Sequence, residues 1–164
     1  MGAQLAKRRA RAGDQAVRDF VEEFAIHMET EGLPRMAGRI LGALLVCEPP
    51  EKTAAELAHA LHASSGSVST MTRLLLRADL IERVSLPGER ADRFRAKPMS
   101  ALMHGATQRV RRLRELTERG LAALADRKPA ARARLQSVHD LYEFFETNMP
   151  TFIERWERQN GGGR

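Results

Sequence analysis

SSGSVSTMTRLLLR, residues 64–77, predicts an amphipathic helix whose two faces differ sharply in chemistry. At about 100° of rotation per residue, apolar side chains collect on one arc and small or basic ones on the opposite arc. The apolar arc consists of Val68, Met71, Leu74, Leu75 and Ala78. The opposite arc, which should face solvent, consists of Gly66, Ser69, Thr70, Arg73 and Arg77. Ser64 or Ser65 is a good N-cap, because a short side-chain oxygen satisfies a free amide of the first turn.

The first turns of this helix suit close approach to nucleic acid. Small hydroxyls at a positively polarised helix end can bind phosphates, and an arginine two turns on can reach a guanine or a phosphate. The candidates for contacts with base edges are Ser65, Ser69, Thr70 and Arg73. The candidates for phosphate or groove contacts on the same stretch are Ser64, Ser67 and Arg77. Taken alone, the stretch is equally well explained as a surface helix with a serine-rich cap.

A short helix and a tight turn precede this stretch. Thr53 and Glu56 have the spacing of a capping box, and the helix that they open should bury Leu57 and Leu61. Residues 62–63 then lead directly into the next helix. Helix, tight turn and longer second helix form a helix-turn-helix, in which the second helix enters the major groove of DNA.

After the helix-turn-helix the sequence changes to a strand pattern. Residues 81–86, IERVSL, alternate and are rich in β-branched side chains, Pro87 and Gly88 signal a turn, and residues 93–96, RFRA, can return as the partner strand. A basic hairpin in this position predicts a wing. Arg90 would reach a neighbouring groove and Arg93 or Arg95 would lie on an adjacent phosphate, whereas the simpler interpretation is a solvated hairpin tip.

The flanking segments predict helices with a surplus of apolar surface. We expect a first helix from Asp14 to about Gly32, a second that begins at Pro34 and ends before residues 48–50, and two long helices at about 100–125 and from Pro129 onward. Pro150 should kink or restart the last helix. The long helices carry apolar seams that one small domain cannot cover, which favours a homodimer over a monomeric bundle.

The predicted fold is therefore mainly α with a small β-hairpin wing. Residues 33–97 form a winged helix-turn-helix DNA-binding domain, and residues 14–32 and 98–160 form a helical dimerisation domain. Residues 1–13, which are basic and small, are expected to be a mobile basic arm.

Charge and composition support a nucleic-acid partner. Among the 164 residues, 27 basic against 21 acidic side chains give a formal charge of +6, which favours a polyanionic partner such as double-stranded DNA. No run of about 18 apolar residues is present, so no membrane partner is expected and the protein should be cytoplasmic. Cys47, the single cysteine, is expected to pack as a small buried hydrophobe.

Two blocks carry a family resemblance, GLPRMAGRILGALLVCEPP and TAAELAHALHASSGSVSTMTRLLLRADLIERVSLPGERADRFR. They resemble the GbsR-like branch of the MarR transcriptional regulators, and in particular actinobacterial repressors that control membrane efflux transporters. The resemblance implies a homodimeric repressor that places residues 64–77 in the major groove and its wing on the minor groove of an inverted-repeat operator. Relatives often carry a second basic or aromatic wing residue where this chain has Ala91 and Arg93.

The resemblance also implies a small lipophilic effector, bound between the DNA-binding lobe and the dimerisation platform. Such a cleft would be lined by the first, second and fifth helices, and methionine and phenylalanine walls suit a flexible apolar ligand. The candidates are Phe20, Phe24, Met28, Met36, Ile40, Met99 and Met103. Each of these side chains is also explained by ordinary core packing.

Other classes of function have weaker support. The sequence contains no metalloprotease pair, phosphate-binding glycine loop or nucleophile elbow, so we expect no enzyme, no cofactor and no metal site. His59, His62 and Glu56 leave metal sensing open as an alternative, and Cys47 leaves redox sensing open. A winged-helix module that binds proteins instead of DNA is a further alternative.

Overall fold

The computed structural model describes residues 2–88, 91–125 and 129–160. The elements in chain order are α1 (Gly2–Thr30), α2 (Arg35–Val46), β1 (Glu51–Thr53), α3 (Ala54–Ala60), α4 (Ser65–Arg77), β2 (Ile81–Val84), β3 (Arg93–Ala96), α5 (Met99–Ala123) and α6 (Pro129–Asn160). They form two compact units, which we call unit 1 (Met1–Lys97) and unit 2 (Pro98–Arg164). The expected fold, mainly α with a small β-hairpin, is confirmed.

Helix α2 is the centre of the unit 1 core. Its residues Ile40 and Leu44 are 0% and 3% exposed. Side chains from α1, α3, α4, β2 and β3 join this core, and they include Val21, Leu57, Leu61, Val68, Leu75, Ile81 and Phe94. Helix α1 packs closely on α2, because a Cβ atom added to Gly38 would lie 2.9 Å from the Cα atom of Ala25. Only glycine at position 38 allows this separation between the two helices.

The expected hairpin is present as β2 and β3, and a third strand joins it. All pairs are antiparallel in the order β1-β3-β2, with Arg95 opposite both Glu51 and Glu82. The sequence did not predict β1, because Glu51, Lys52 and Thr53 show no alternation of apolar and polar residues. The backbone of β3 supplies the hydrogen-bonding partners that make these residues a strand.

Helices α1 and α6 each differ from the predictions at one point. Helix α1 begins at Gly2 and not at Asp14, so residues 2–13 belong to the helix, and their role as a mobile arm stays a prediction. This segment is rich in alanine, lysine and arginine, which are good helix formers, and contains no proline. Helix α6 continues through Pro150, so the expected restart there is wrong. The loss of one backbone donor does not end a helix whose flanking turns keep their own hydrogen bonds.

Unit 2 consists of α5 packed against α6. Gly120 gives room for the contact, since a Cβ atom there would lie 2.8 Å from Cδ2 of Leu135. Arg114 donates from Nε to Glu146 at 2.6 Å and so joins the two helices. Residues 14–32 and 98–160 were assigned to one dimerisation domain, and that assignment stays a prediction. No helix in the described ranges is long and apolar enough to cross a membrane.

Candidate nucleic-acid interface

Helix α3 begins with the capping box that the sequence predicted. The amide of Glu56 donates to Thr53 Oγ1 at 3.1 Å, and the amide of Thr53 donates to Glu56 Oε2 at 2.6 Å. The bond from the Thr53 amide is the main reason that the pKa of Glu56 lies below its usual range, and Arg93 adds to the effect. Glu56 also accepts from Arg93 Nη1 at 3.3 Å, which joins the start of α3 to strand β3.

A tight turn connects α3 to α4. His62 has φ +49°, in the left-handed region that few residues other than glycine adopt readily. The amide of Ala63 donates to the carbonyl of Ala58 at 3.0 Å, which closes the end of α3 in a Schellman-type motif. Ser64 follows as the N-cap of α4, and its Oγ atom accepts from the Ser67 amide at 3.2 Å. The predicted cap and the predicted helix-turn-helix are therefore both present.

The buried face of α4 fixes the helix to the core. Val68 and Leu75 are both fully buried. Thr72, which the sequence did not place on this face, is 2% exposed, and its hydroxyl donates to the carbonyl of Val68 at 2.9 Å. That internal hydrogen bond allows a polar side chain to be buried without an unsatisfied donor. Ala78 was predicted in the buried arc but is exposed, because α4 ends at Arg77.

The opposite face of α4 is exposed. Its exposed residues are Ser65, Gly66, Ser69, Thr70, Arg73 and Arg77. A Cβ atom on Gly66 would meet nothing within 4 Å, so the fold does not require glycine at this position. Arg73 lies along the helix, with Nε donating to the carbonyl of Ser69 at 3.2 Å. The face that the sequence proposed for DNA is thus open over its whole length.

The remaining DNA candidates lie in different surroundings. Ser64 is exposed, whereas Ser67 is half-buried in the first turn. Arg93 lies in β3 with its side chain 17% exposed and paired with Glu56. Arg90, the predicted wing contact, lies outside the described residues. The contacts of all these residues with DNA stay predictions.

Ion pairs join the two strands of the hairpin and link the hairpin to the residues that follow α4. Arg83 and Asp92 pair at 3.1 Å across the hairpin, and Arg95 pairs with Glu82 at 2.6 Å. Lys97 pairs with Asp79, which follows the end of α4 at φ +63°. This last pair joins the end of the hairpin to the segment that follows α4.

The predicted effector residues belong to both units and differ in burial, and their contact with an effector stays a prediction. Phe20 is 41% exposed, and its ring centroid lies 5.8 Å from that of Phe24 on the same helix. Phe24, Met28 and Met36 are half-buried, and Ile40 is fully enclosed in the core. Met99 and Met103 belong to unit 2, where Met99 is exposed and Met103 half-buried.

Unit 1 contains a cleft of about 690 Å³ that the sequence did not reveal. It lies between α1, α2 and the end of α3, and its walls include Val17, Glu22, Arg39, Cys47 and His62. Cys47 is half-buried and not fully buried as predicted, because it caps α2 where the helix ends. Burial raises the pKa of its thiol. No periodic pattern marks this cleft, since it depends on how three helices pack.

The metal-sensing alternative gains no support from the described residues, because no group of three or more His, Cys, Asp or Glu side chains in those ranges could hold a metal ion. His59 and His62 are both exposed.

Comparison with known proteins places these features in context. Residues 98–159 match the MmpR5-like MarR family transcriptional regulators. The chain is 38% identical over 148 residues to the HTH-type transcriptional regulator MmpR5 of Mycobacterium tuberculosis, a match that covers 88% of this chain and 89% of that protein. A shorter match, 33% identical over 81 residues, is with the putative HTH-type transcriptional regulator YvaV of Bacillus subtilis and covers 49% of this chain and 45% of YvaV. A crystal structure of a transcriptional regulator is similar with a TM-score of 0.76 and 38% identity, over 87% of this chain and 99% of that one.

Proposed function

Because the chain belongs to the MarR family of transcriptional regulators, which are not enzymes, we propose that it acts as a homodimeric repressor of transcription. Its α4 helices bind successive major grooves of an inverted-repeat operator. A small lipophilic effector releases the repressor, and the controlled gene encodes a membrane efflux transporter.

The open face of α4 is the single observation that carries this proposal. Val68 and Leu75 hold the helix firmly against the core, while Ser69, Thr70 and Arg73 on the other side are exposed. A rigid helix with small polar side chains and arginines on its free face has the shape and charge to enter a major groove. Serine and threonine hydroxyls accept or donate to base edges, and arginine binds guanine through two parallel hydrogen bonds.

The dimer is supported by the apolar surface of unit 2. Several large apolar side chains of α5 and α6 are exposed, and they include Leu113, Leu116, Val138, Leu141, Phe144, Phe145 and Phe152. Patches of this kind on a water-soluble domain usually mark an interface. In a two-fold dimer the two α4 helices should lie about 34 Å apart, so the operator half-sites should be centred roughly ten base pairs apart.

The effector is assigned to an apolar, flexible class of compound. The half-buried side chains of Phe24, Met28 and Met36 can repack around such a ligand. An effector shifts the dimer away from the operator only by its differential affinity for the two arrangements of the DNA-binding lobes. Titration of lipophilic compounds against the repressor bound to its operator tests this part, which fails if none of them lowers operator affinity.

Selection of bound duplexes from random DNA, followed by binding isotherms at several salt concentrations, tests the central proposal. We expect an inverted repeat. Arg73→Ala should cost about 1–3 kcal/mol and relax specificity at one base position, because it removes a base contact. Arg77→Ala should weaken binding to all sequences and reduce the salt slope by about one.

Arg158→Ala, which changes an exposed arginine in the last turn of α6, is the matched control and should leave the isotherm unchanged. The proposal is wrong if Arg73→Ala, Arg77→Ala and Arg90→Ala all bind the selected duplex as the wild type does. A genome-wide footprint then identifies the controlled gene, and the efflux assignment fails if no transporter gene lies beside a bound site.

A further inference from the structure

The guanidinium group of Arg39 joins three helices of unit 1. From α2, its Nε atom donates to Oε1 of Glu22 on α1 at 2.6 Å. Its Nη2 atom donates to the carbonyl oxygen of Leu61, the C-cap residue of α3, at 3.0 Å. The side chain is only 22% exposed. A planar guanidinium can hold both partners in fixed directions at once, which a single ammonium group cannot do.

The carbonyl of Leu61 occupies a sensitive place in the helix-turn-helix. Helix α3 has only seven residues, and the next residue, His62, has φ +49°. The amides of His62 and Ala63 bond back to His59 and Ala58, so these bonds satisfy carbonyls inside α3 but leave that of Leu61 to another donor. Arg39 is that donor. A positive charge at this position is also favourable because the C-terminal end of a helix carries partial negative charge.

The position of α4 depends on this point of the backbone. Ser64, the N-cap of α4, follows Leu61 after two intervening residues, so a displacement of Leu61 moves the first turn of α4. We propose that Arg39 is a positioning residue for DNA recognition, which fixes the turn between α3 and α4 to α1 and α2 without itself contacting DNA. This inference rests on the proposed DNA-binding function.

The chain supplies a matched control in Arg35, one helical turn before Arg39. Arg35 also pairs with Glu22, through Nη2 at 3.4 Å, but its side chain is 50% exposed and this ion pair joins it to α1. Arg35→Met therefore removes a positive charge and one ion pair from the same carboxylate. It leaves the bond between Arg39 and Leu61 in place.

Operator binding by the full-length protein is the first measurement, with a duplex that the wild type selects from random DNA. Arg39→Met should lower affinity at least tenfold, because the turn loses its external donor, and the dependence of affinity on salt should keep the wild-type slope. Arg35→Met should stay within twofold of the wild type. Equal effects of the two substitutions would overturn the inference. So would a salt slope reduced by about one in Arg39→Met, since that change indicates a phosphate contact.

Hydrogen exchange on the DNA-free protein separates this inference from the proposed function. In Arg39→Met the amides of Ala63 and Ser67 should exchange at least tenfold faster, while that of Leu75 in the core keeps its rate. A wild type that binds no duplex contradicts the proposed function, yet the exchange rates still decide the role of Arg39. Wild-type exchange at Ala63 and Ser67 in this variant would overturn it.

Arg39→Lys keeps the experiment decisive if the methionine variant does not fold. The lysine retains the charge and the aliphatic stem but cannot bond Glu22 and Leu61 in the same geometry. We expect an affinity between those of the wild type and Arg39→Met, with faster exchange at Ala63. A lysine variant equal to the wild type in both measurements would show that the charge alone suffices and would contradict the assignment.

Discussion

The helix-turn-helix and the α5–α6 pair are both built from amphipathic helices, but their apolar residues lie in opposite environments. In unit 1, Leu57, Val68 and Leu75 are at most 1% exposed. In the part of unit 2 that the structure describes, only Thr117 and Ile153 are buried, while Phe144 is 61% and Leu116 is 55% exposed. The first region is complete within one chain. The second presents apolar area that the proposed dimer would cover, so we expect stability and assembly to depend on different parts of the molecule.

The largest expected effect is in unit 1, where the apolar side chains are buried. Leu75→Ala removes a fully buried side chain that holds α4 on the core, and it should lower the free energy of unfolding by about 2–5 kcal/mol. Urea denaturation followed by circular dichroism measures the change. A loss below about 1 kcal/mol would mean that α4 is not fixed by this core.

A double substitution in unit 2 tests whether its exposed apolar side chains form the proposed dimer interface. Leu116→Ser with Phe144→Ser removes two exposed apolar side chains and should weaken the dimer by about 3 kcal/mol, or roughly a hundredfold in its dissociation constant. Sedimentation velocity over a range of concentrations measures the effect, and helical content is the control for folding. Association equal to that of the wild type would place the dimer interface elsewhere.

A substitution on α4 with a smaller effect should separate the stability of the fold from operator binding. Gly66→Ala adds a methyl group that meets no protein atom within 4 Å, so it should stabilise the fold by about 0.5–1 kcal/mol. The same methyl group should weaken operator binding by about 1 kcal/mol or more if DNA approaches the helix closely there. Thermal unfolding and binding isotherms measure the two quantities.

Gly13→Ala is the control for this substitution. It also changes an exposed helical glycine with nothing within 4 Å of the added atom, and it should stabilise the protein without any change in operator affinity. If both variants bind DNA like the wild type, Gly66 is not a point of close approach.

The smallest effect concerns pH and the ion pairs of unit 2. Hydrogen bonds from Arg111 and Arg114 hold the pKa of Glu146 below its usual range. A depressed carboxyl pKa contributes stability that is complete above the unfolded value, about 4.3, and is lost as the pH falls through the lower folded value. Glu146→Gln should therefore reduce the loss of stability below about pH 4. Because Glu146 is only half-buried, the change should be small, and thermal unfolding at pH 7 and at acid pH measures it.

Short-range sequence patterns predicted much of the helix-turn-helix correctly. The spacing of Thr53 and Glu56 predicted their two capping bonds, and the rotation of α4 predicted that Val68 and Leu75 are buried and Arg73 exposed. Each of these features depends on residues within a few positions of one another. Local sequence therefore suffices for these caps and for the central residues of the α4 faces, whereas Thr72 was not predicted to be buried and Ala78 was wrongly placed on the buried face.

The features that the sequence did not reveal depend on distant partners. Strand β1 exists because β3 pairs with it, and the cleft beside Cys47 exists because three helices meet there. Nothing in the sequence of α2 marks Leu61 as a partner of Arg39, so the sequence did not reveal this contact. Such pairings require the fold before they can be recognised.

The short strand β1 has a consequence for the order of folding. Its pairing places Glu51 opposite Arg95, so the whole helix-turn-helix lies inside a loop of chain that this contact closes. Closing a long loop has an entropic cost, and contacts between distant residues form slowly compared with a local helical turn. During synthesis, a chain that has passed Arg77 but not Ala96 already contains every residue of α4 and still lacks the strand that completes the sheet. The face of α4 that we propose reads DNA therefore belongs to a unit that is completed by residues outside α4.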